Sequence, residues 1–354
     1  MKPSEKNYKR IVIKIGSSLF YPDYKNLDLR LIKDIVYQVR SLVKSQKEIV
    51  LVSSGAIALG MHLLGMDERP RQLNYLQSVS AIGQNELMNT YRRFFGERVR
   101  SAQVLLTWED FSDRRRYLNA QNTLLTLFKL GSIPIINEND TISTDEIKFG
   151  DNDRLSALVS NLISADLLII LSDVDGLLDK DKKTVIGTVD EIDSRIKELI
   201  YSARKKTCVG GMVTKIEAAK IAVDSGIPCV IANGRKKDIV LSVIKEPQKY
   251  GTLFLPKKTL RAKKRWIAFS TKPKGKIIVD EGAKAALINK KSLLSVGVVS
   301  CEGNFEGGDI VSVIDRQACE FARGKICLSN KELEEVKGKR YAKEIIHRDN
   351  IVIL

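Results

Sequence analysis

The 354 residues (39.7 kDa) are 44% hydrophobic and 29% charged, which fits one large or two unequal globular domains. The balance of 59 basic against 43 acidic residues gives a net charge of +16; it suits an anionic partner, nucleic acid or phosphorylated small molecule, or simply a solvated surface. No run approaches eighteen apolar residues, the five cysteines are odd in number and widely spaced, and His62 and His347 are the only histidines. These facts argue against membrane spans, disulfide frameworks, zinc sites and multi-imidazole chemistry, and point to the cytoplasm; the charged start, MKPSEKNYKR, reads as no signal peptide.

In chain order, Arg10–Ile15 reads as a strand closed by Gly16-Ser17-Ser18, and Ile32, Ile35, Val36, Val39, Leu42 and Val43 repeat at helical spacing. A strand at Glu48–Val52 ends in Ser53-Ser54-Gly55. A helix over Asn74–Phe95, a strand at Ala102–Leu106 and a helix over Arg115–Leu130 follow, with Gly131 placed to end that helix. Then come a strand at Ile133–Ile136, a helix at Arg154–Ile163, a buried strand at Asp166–Leu171, a helix at Met212–Val223, and strands at Pro228–Ala232 and Thr252–Leu255. Apolar strands alternating with helices predict an α/β fold, a mostly parallel sheet sandwiched by helices, over 1–256.

The basic run 257–265 (KKTLRAKKR) reads as a solvated linker. Beyond it, 266–354 turns to short strands: Trp266–Phe269, Lys276–Val279, Gly297–Val299 and Asp309–Ile314, punctuated by glycines, with one helix near Gly282–Asn289. A small C-terminal β-barrel-like module is expected. Residues 257–354, the basic run included, hold a net +9 of the charge, and 1–256 hold +7.

Neither GxxxxGK[ST] nor GxGxxG is present. Instead, small polar turns follow the strands, on the rim where open parallel sheets bind ligands. Lys14-Ile15-Gly16-Ser17-Ser18 offers a cation and free amides for an anion, or merely an exposed lysine. Ser53-Ser54-Gly55-Ala56 opens a helix as an anion site or as an N-cap. Asn137-Glu138-Asn139-Asp140 and Lys148-Phe149-Gly150-Asp151-Asn152-Asp153 crowd polar groups between buried elements, which is costly unless they bind something. Asp140 and Asn152 suit an ammonium group, and Asp153 suits lysines or a metal; the alternative is a hydrated loop with Asp151 or Asn152 as a cap. Ser172-Asp173-Val174-Asp175-Gly176 forms a wall for a nucleotide or a plain Asp-Gly turn. Gly210-Gly211-Met212-Val213-Thr214-Lys215 offers phosphates a helix start and a lysine. Two lysines, amide-rich turns and carboxylates on one rim suit phosphoryl transfer, with Mg2+ held largely by phosphate oxygens and water.

The motifs KIGSS, VSSGAIALG, NEND…IKFGDNDRLSALVS, LSDVDGL and GGMVTKIEAAKIA, in this order, resemble the amino-acid kinase family. VDEGAKAAL, SLLSVGV, EGNFEGGDIV and ARG resemble a PUA domain. The resemblance runs from about residue 10 to 354. It implies ATP-dependent phosphorylation of the γ-carboxylate of L-glutamate to γ-glutamyl phosphate, the first step of proline biosynthesis. It assigns catalysis to Lys14, Lys215 and Asp153, with Lys148 assisting. Glutamate falls to Ser54, Gly55, Asn137, Asp140 and Asn152; ATP falls to Lys14, Ser172, Asp173, Gly210, Gly211, Met212, Val213, Thr214 and Lys215, with no dedicated protein metal site. Cys208-Val209 stands where the family usually has Gly-Thr, Ser172 where threonine is common and Leu178 where tyrosine is frequent. The resemblance further implies a homo-oligomer (dimer or tetramer), proline feedback through Thr141–Lys148, and a reductase as consumer of glutamyl phosphate. Rival readings are a kinase for N-acetylglutamate, aspartate, carbamate or a nucleoside monophosphate, and an RNA-binding protein acting through its basic tail.

Overall fold

The computed structural model describes residues 8–21, 27–97, 99–142, 152–181, 183–202, 211–256, 262–270 and 273–354. They form two compact units, one of Met1–Asp110 and Arg114–Thr259, the other of Phe111–Asp113 and Leu260–Leu354. In the first unit the strands are β1 (Arg10–Ile15), β2 (Glu48–Ser53), β3 (Arg100–Leu106), β4 (Ser132–Glu138), β5 (Leu167–Ser172), β6 (Thr188–Val189), β7 (Cys229–Asn233) and β8 (Gly251–Phe254). They lie in the order β3-β4-β2-β1-β5-β7-β8-β6, and every neighbouring pair is parallel except β7 with β8. The central strands are apolar runs because helices cover both faces and no side of the strand meets water. β1 and β5 are buried almost throughout.

The helices used below are α1 (Ser17–Phe20), α2 (Leu29–Lys44), α3 (Ala56–Leu63), α4 (Leu73–Phe95), α5 (Trp108–Ser112), α6 (Arg114–Lys129), α7 (Asn152–Ile163), α8 (Ser194–Ser202) and α9 (Met212–Asp224). α2 starts where the Asp28 carboxylate accepts the Leu31 N–H at 3.1 Å, and it buries Ile32, Ile35, Val36, Val39 and Leu42 on one stripe. α7 buries every residue except Arg154. Such a helix has no solvent face, so its serines turn inward: the Ser160 hydroxyl donates to the Ser156 carbonyl at 2.7 Å.

α3 and α4 touch backbone to backbone. A Cβ on Gly83 would stand 1.8 Å from the Ala56 carbonyl oxygen, and one on Gly60 would stand 2.0 Å from that of Val79. Only glycine permits this approach, so the two residues fix the register of α4 against the helix that opens just after Ser54.

In the second unit, β9 (Gly275–Val279), β10 (Val298–Gly303), β11 (Ile310–Ile314), β12 (Glu320–Lys325) and β13 (Ile351–Ile353) form a sheet of order β10-β9-β11-β12-β13. Its core gathers Ile277, Val279, Phe305, Val311, Val313, Leu333 and Ile346. The strand expected at Trp266–Phe269 is instead helical: Ala262–Arg265 is an α-helical turn that continues as a wider π-helical turn over Trp266–Ser270. Its bulky residues read as β-formers, yet Trp266, Ile267 and Ala268 are buried in succession in the helical turn, where packing overrides strand propensity. Trp266 donates its indole N–H to the Phe111 carbonyl at 3.1 Å. Residues 257–261 of the basic run lie outside the described residues.

Candidate active site

Because the middle of the sheet runs β4-β2-β1-β5-β7 with parallel strands, the turns after these five strands share one edge. Asn137 ends β4, Ser54 follows β2, Lys14 nears the end of β1, and Ser172 ends β5. α7 delivers Asn152 and Asp153 to the same edge, and α9 delivers Thr214 and Lys215.

The charged centre is built from three distant pieces of chain. Lys14 Nζ lies 2.6 Å from Asp153 Oδ1, and Lys215 Nζ donates to Asp153 Oδ2 at 3.1 Å. The Thr214 hydroxyl also donates to Oδ2, at 2.8 Å. Lys14, Asp153 and Lys215 are 4%, 2% and 6% exposed, so the exposed-lysine reading of Lys14 fails. Burial by itself raises the Asp153 carboxyl, but the ammonium groups of Lys14 and Lys215 and hydrogen bonds from Lys14 and Thr214 outweigh it and hold the group at about 2. Its place in the first turn of α7 favours the anion as well. Gly16 keeps this corner open: a Cβ there would stand 3.1 Å from the Leu171 carbonyl oxygen and 3.6 Å from Lys14 Nζ. Nearby, burial and the Asp153 charge push the Cys229 thiol well up, which keeps it protonated and inert.

On the β2–β4 side the hydrogen bonds around Asn152 are neutral. Asn152 Nδ2 donates to Ser54 Oγ and to Asn137 Oδ1, both at 2.9 Å, and to the Ser53 carbonyl at 3.4 Å. Asn137 Oδ1 also accepts the Glu138 N–H at 2.9 Å, and Asn137 Nδ2 donates to Gln84 Oε1 at 2.8 Å. Asn152 Oδ1 is buried and accepts no hydrogen bond among the described residues. The Ser80 hydroxyl donates to Asp140, and the Ser53 hydroxyl pairs with Tyr91 at 2.7 Å. Gly55, not a serine, caps α3; its φ of 108° suits glycine, and a Cβ would stand 3.1 Å from the Phe20 ring. Neither the Ser53–Ser54 pair nor Asn152 therefore spends its side chain on capping.

The turns on the other side are tied together. Gly16 N–H donates to the Leu171 carbonyl at 3.0 Å, and Gly234 N–H donates to that of Ser172 at 2.8 Å. The Ser18 hydroxyl donates to Asp173 at 3.2 Å. Gly211 caps α9, whose first turn leaves Met212, Val213 and Thr214 half-buried. Arg154, beside Asp153, stacks its guanidinium 3.9 Å from the centre of the Trp108 ring.

Of the sequence-derived residues, the structure thus brings Lys14, Asp153, Thr214 and Lys215 into one cluster, and Ser54, Asn137 and Asn152 into a second. Gly55, Asp140, Ser172, Asp173, Gly211, Met212 and Val213 lie on the adjoining turns. Lys148, Gly210 and Cys208-Val209 lie outside the described residues, as do positions 143–148 of the segment expected to sense proline. Sequence reasoning missed Ser80, Gln84 and Tyr91 on α4. The available signal was a pair of polar residues four apart on a helix face otherwise made of Leu76, Val79, Gly83 and Leu87. A separate cavity of about 470 Å³, lined by Asp34, Tyr37, Gln38, Arg235, Lys236 and Asp238 among others, holds none of the expected site residues.

Among known proteins, residues 9–233 match the amino acid kinase family and residues 275–348 match the PUA domain. Curated relatives named glutamate 5-kinase include those of Thermoanaerobacter sp. (strain X514), at 48% identity, and of Caldanaerobacter subterraneus subsp. tengcongensis, at 46%. The glutamate 5-kinase of Geobacter sulfurreducens is 44% identical. In each case the match covers 98% of both chains.

Proposed function

Because the chain belongs to the amino acid kinase family, we propose that its reaction runs on the edge just described, with Lys14, Lys215 and Asp153 at the point of phosphoryl transfer. The enzyme phosphorylates glutamate, the activity its relatives are named for, and the reaction serves proline biosynthesis. The γ-carboxylate of L-glutamate attacks the γ-phosphorus of ATP, the bond to the bridging oxygen breaks, and γ-glutamyl phosphate and ADP result. A carboxylate is already ionised near neutral pH, so no general base is required, in keeping with two histidines in the whole chain. The protein's task is to position the reactants and to place positive charge where the transferred group passes.

The observation that carries this reading is the convergence of two buried ammonium groups, from β1 and α9, on the two oxygens of Asp153. Asp153 holds both lysines at one point, and they neutralise the phosphoryl group as it moves. Ser54, Gly55, Asn137, Asp140 and Asn152 hold glutamate on the β2–β4 side. Ser172, Asp173 and the start of α9 from Gly211 to Lys215 receive ATP, with Gly210 and Lys148 assigned by resemblance alone. Among the described residues no three acidic, histidine or cysteine side chains converge. Mg2+ brought in on ATP would be held largely by its phosphate oxygens and by water, and would supply charge neutralisation there.

No helix among the described residues is long and apolar enough to cross a membrane, and we place the enzyme in the cytoplasm as a dimer or tetramer. Its labile product passes to a glutamyl phosphate reductase. The rival reading, RNA binding through the basic second unit, requires a mobility shift with structured RNA at low salt; no shift there removes it. For the reaction itself the test is ATP turnover with Mg2+ on glutamate, N-acetylglutamate, aspartate, bicarbonate plus ammonia, and UMP, with hydroxylamine as acyl-phosphate trap. Hydroxamate from glutamate alone, absent in Lys215→Ala, is expected. Turnover of another acceptor in preference to glutamate overturns the specificity.

A further inference from the structure

We propose that Ser80 and Gln84, one turn apart on α4, are positioning residues that set the hydrogen-bond polarity of the amino-acid subsite and thereby its demand for a free ammonium group. The proposal rests on the glutamate reading above.

Two backbone groups fix the direction of the amide network. Glu138 N–H can only donate, so the Asn137 atom it meets at 2.9 Å is the carbonyl oxygen. The Ser53 carbonyl can only accept, so the Asn152 atom facing it is the amide nitrogen. Asn152 Nδ2 is thereby committed to Ser54 and Asn137, and its Oδ1 is left as a buried acceptor that takes no hydrogen bond among the described residues. Such an oxygen needs a donor from the ligand. The α-ammonium is the only strong donor on glutamate, and either carboxylate would be repelled there.

Gln84 completes this arrangement. Once Asn137 Oδ1 is spent on Glu138 and Asn152, its Nδ2 faces α4, and Gln84 Oε1 accepts it at 2.8 Å. Without that acceptor, a half-buried donor is stranded and the Asn137 amide, held from one end only, seats Asn152 less firmly. Ser80 does the parallel work for Asp140, donating its hydroxyl to the carboxylate. The glycine contacts at Gly60 and Gly83 explain how a helix can hold these two side chains at a set depth. Gly83 precedes Gln84 and seats against Ala56, two residues after Ser54. The helix and the serine turn therefore move as one piece.

The test compares Gln84→Met, Gln84→Glu and Ser80→Ala in the full-length enzyme, with steady-state kinetics in both substrates and with 2-hydroxyglutarate, which lacks the ammonium group, as competing acceptor. Gln84→Met removes the acceptor at similar volume; it should raise KM for glutamate about tenfold, the loss of one buried hydrogen bond. Its kcat and its KM for ATP should stay within about twofold, and its preference for glutamate over 2-hydroxyglutarate should narrow by about the same tenfold. Gln84→Glu keeps an acceptor facing Asn137 and should restore KM and preference. Ser80→Ala should raise KM for glutamate severalfold. A merely structural role predicts equal damage in Met and Glu variants, spread over both substrates, and that result overturns the proposal. So does an unchanged KM for glutamate in Gln84→Met while the wild type turns over glutamate. A wild type without glutamate-dependent turnover overturns the reaction and this subsite together.

Discussion

On the β1–α9 side of the edge, Asp153 sits between two ammonium groups, 2.6 Å from one and 3.1 Å from the other. On the β2–β4 side, Ser54, Asn137, Asn152 and Gln84 are joined by neutral hydrogen bonds whose direction is set by backbone groups. Both regions are buried and both borrow from α7, yet they act differently. Charge acts over distance and tolerates small errors of angle, so it suits a group that changes position during the reaction. Neutral hydrogen bonds discriminate by direction, so they suit a substrate that must be told from its near relatives. The charged side should therefore govern kcat, and the neutral side KM for the amino acid.

The strongest way to break this comparison is to remove a lysine. Lys215→Ala or Lys14→Ala should lower kcat by about 10²–10³-fold, the scale of losing one charge-stabilising donor, while KM for glutamate changes only a few-fold; hydroxamate formation under saturating substrates reads it. A somewhat smaller effect is expected where the two sides are supported. Gly83→Ala drives a Cβ into the Ala56 carbonyl and should destabilise the fold by about 3 kcal/mol in urea unfolding. Any residual activity should show a raised KM for glutamate, since Gln84 adjoins the clash.

The smallest effect sharpens the contrast by pH. Asp153 is held at about 2, below its ordinary 3.8. Its contribution is fully present above the unfolded value and fades as pH falls from about 5 to 2, by up to about 2 kcal/mol. The same interval of the unfolding curve should be flatter in Asp153→Asn, because the amide that replaces the carboxylate does not titrate. Equal slopes in wild type and variant would show that Asp153 is not the buried anion described.

The charged side was legible in the sequence and the neutral side only partly so. Lys14, Asp153 and Lys215 stand in short motifs beside glycines, and a lysine ending an apolar strand is conspicuous. The parallel strand alternation was equally readable, since the central strands are short, largely apolar runs. Ser54, Asn137 and Asn152 stand in motifs that the resemblance assigns to glutamate, whereas Ser80 and Gln84 stand in none, and a polar residue on a long helix normally faces water. Their burial follows from Gly60 and Gly83, and nothing local in sequence announces that two helices will meet there. In the second unit, β12 (EFARGK) and β13 escaped notice for a related reason: short strands with polar residues carry little periodic signal. Trp266–Phe269 misled in the opposite sense, since strand-forming residues wound into a buried helical turn.

The most direct measurement sets Lys215→Ala beside Asn152→Ala and determines kcat and KM for glutamate in each. The division of labour predicts that Lys215→Ala loses kcat with little change in KM, and that Asn152→Ala raises KM for glutamate at least tenfold with kcat changed only a few-fold, about the scale of a buried hydrogen bond lost from substrate binding. If both substitutions depress the same parameter by the same factor, charge and hydrogen-bond direction do not divide the site in the way described.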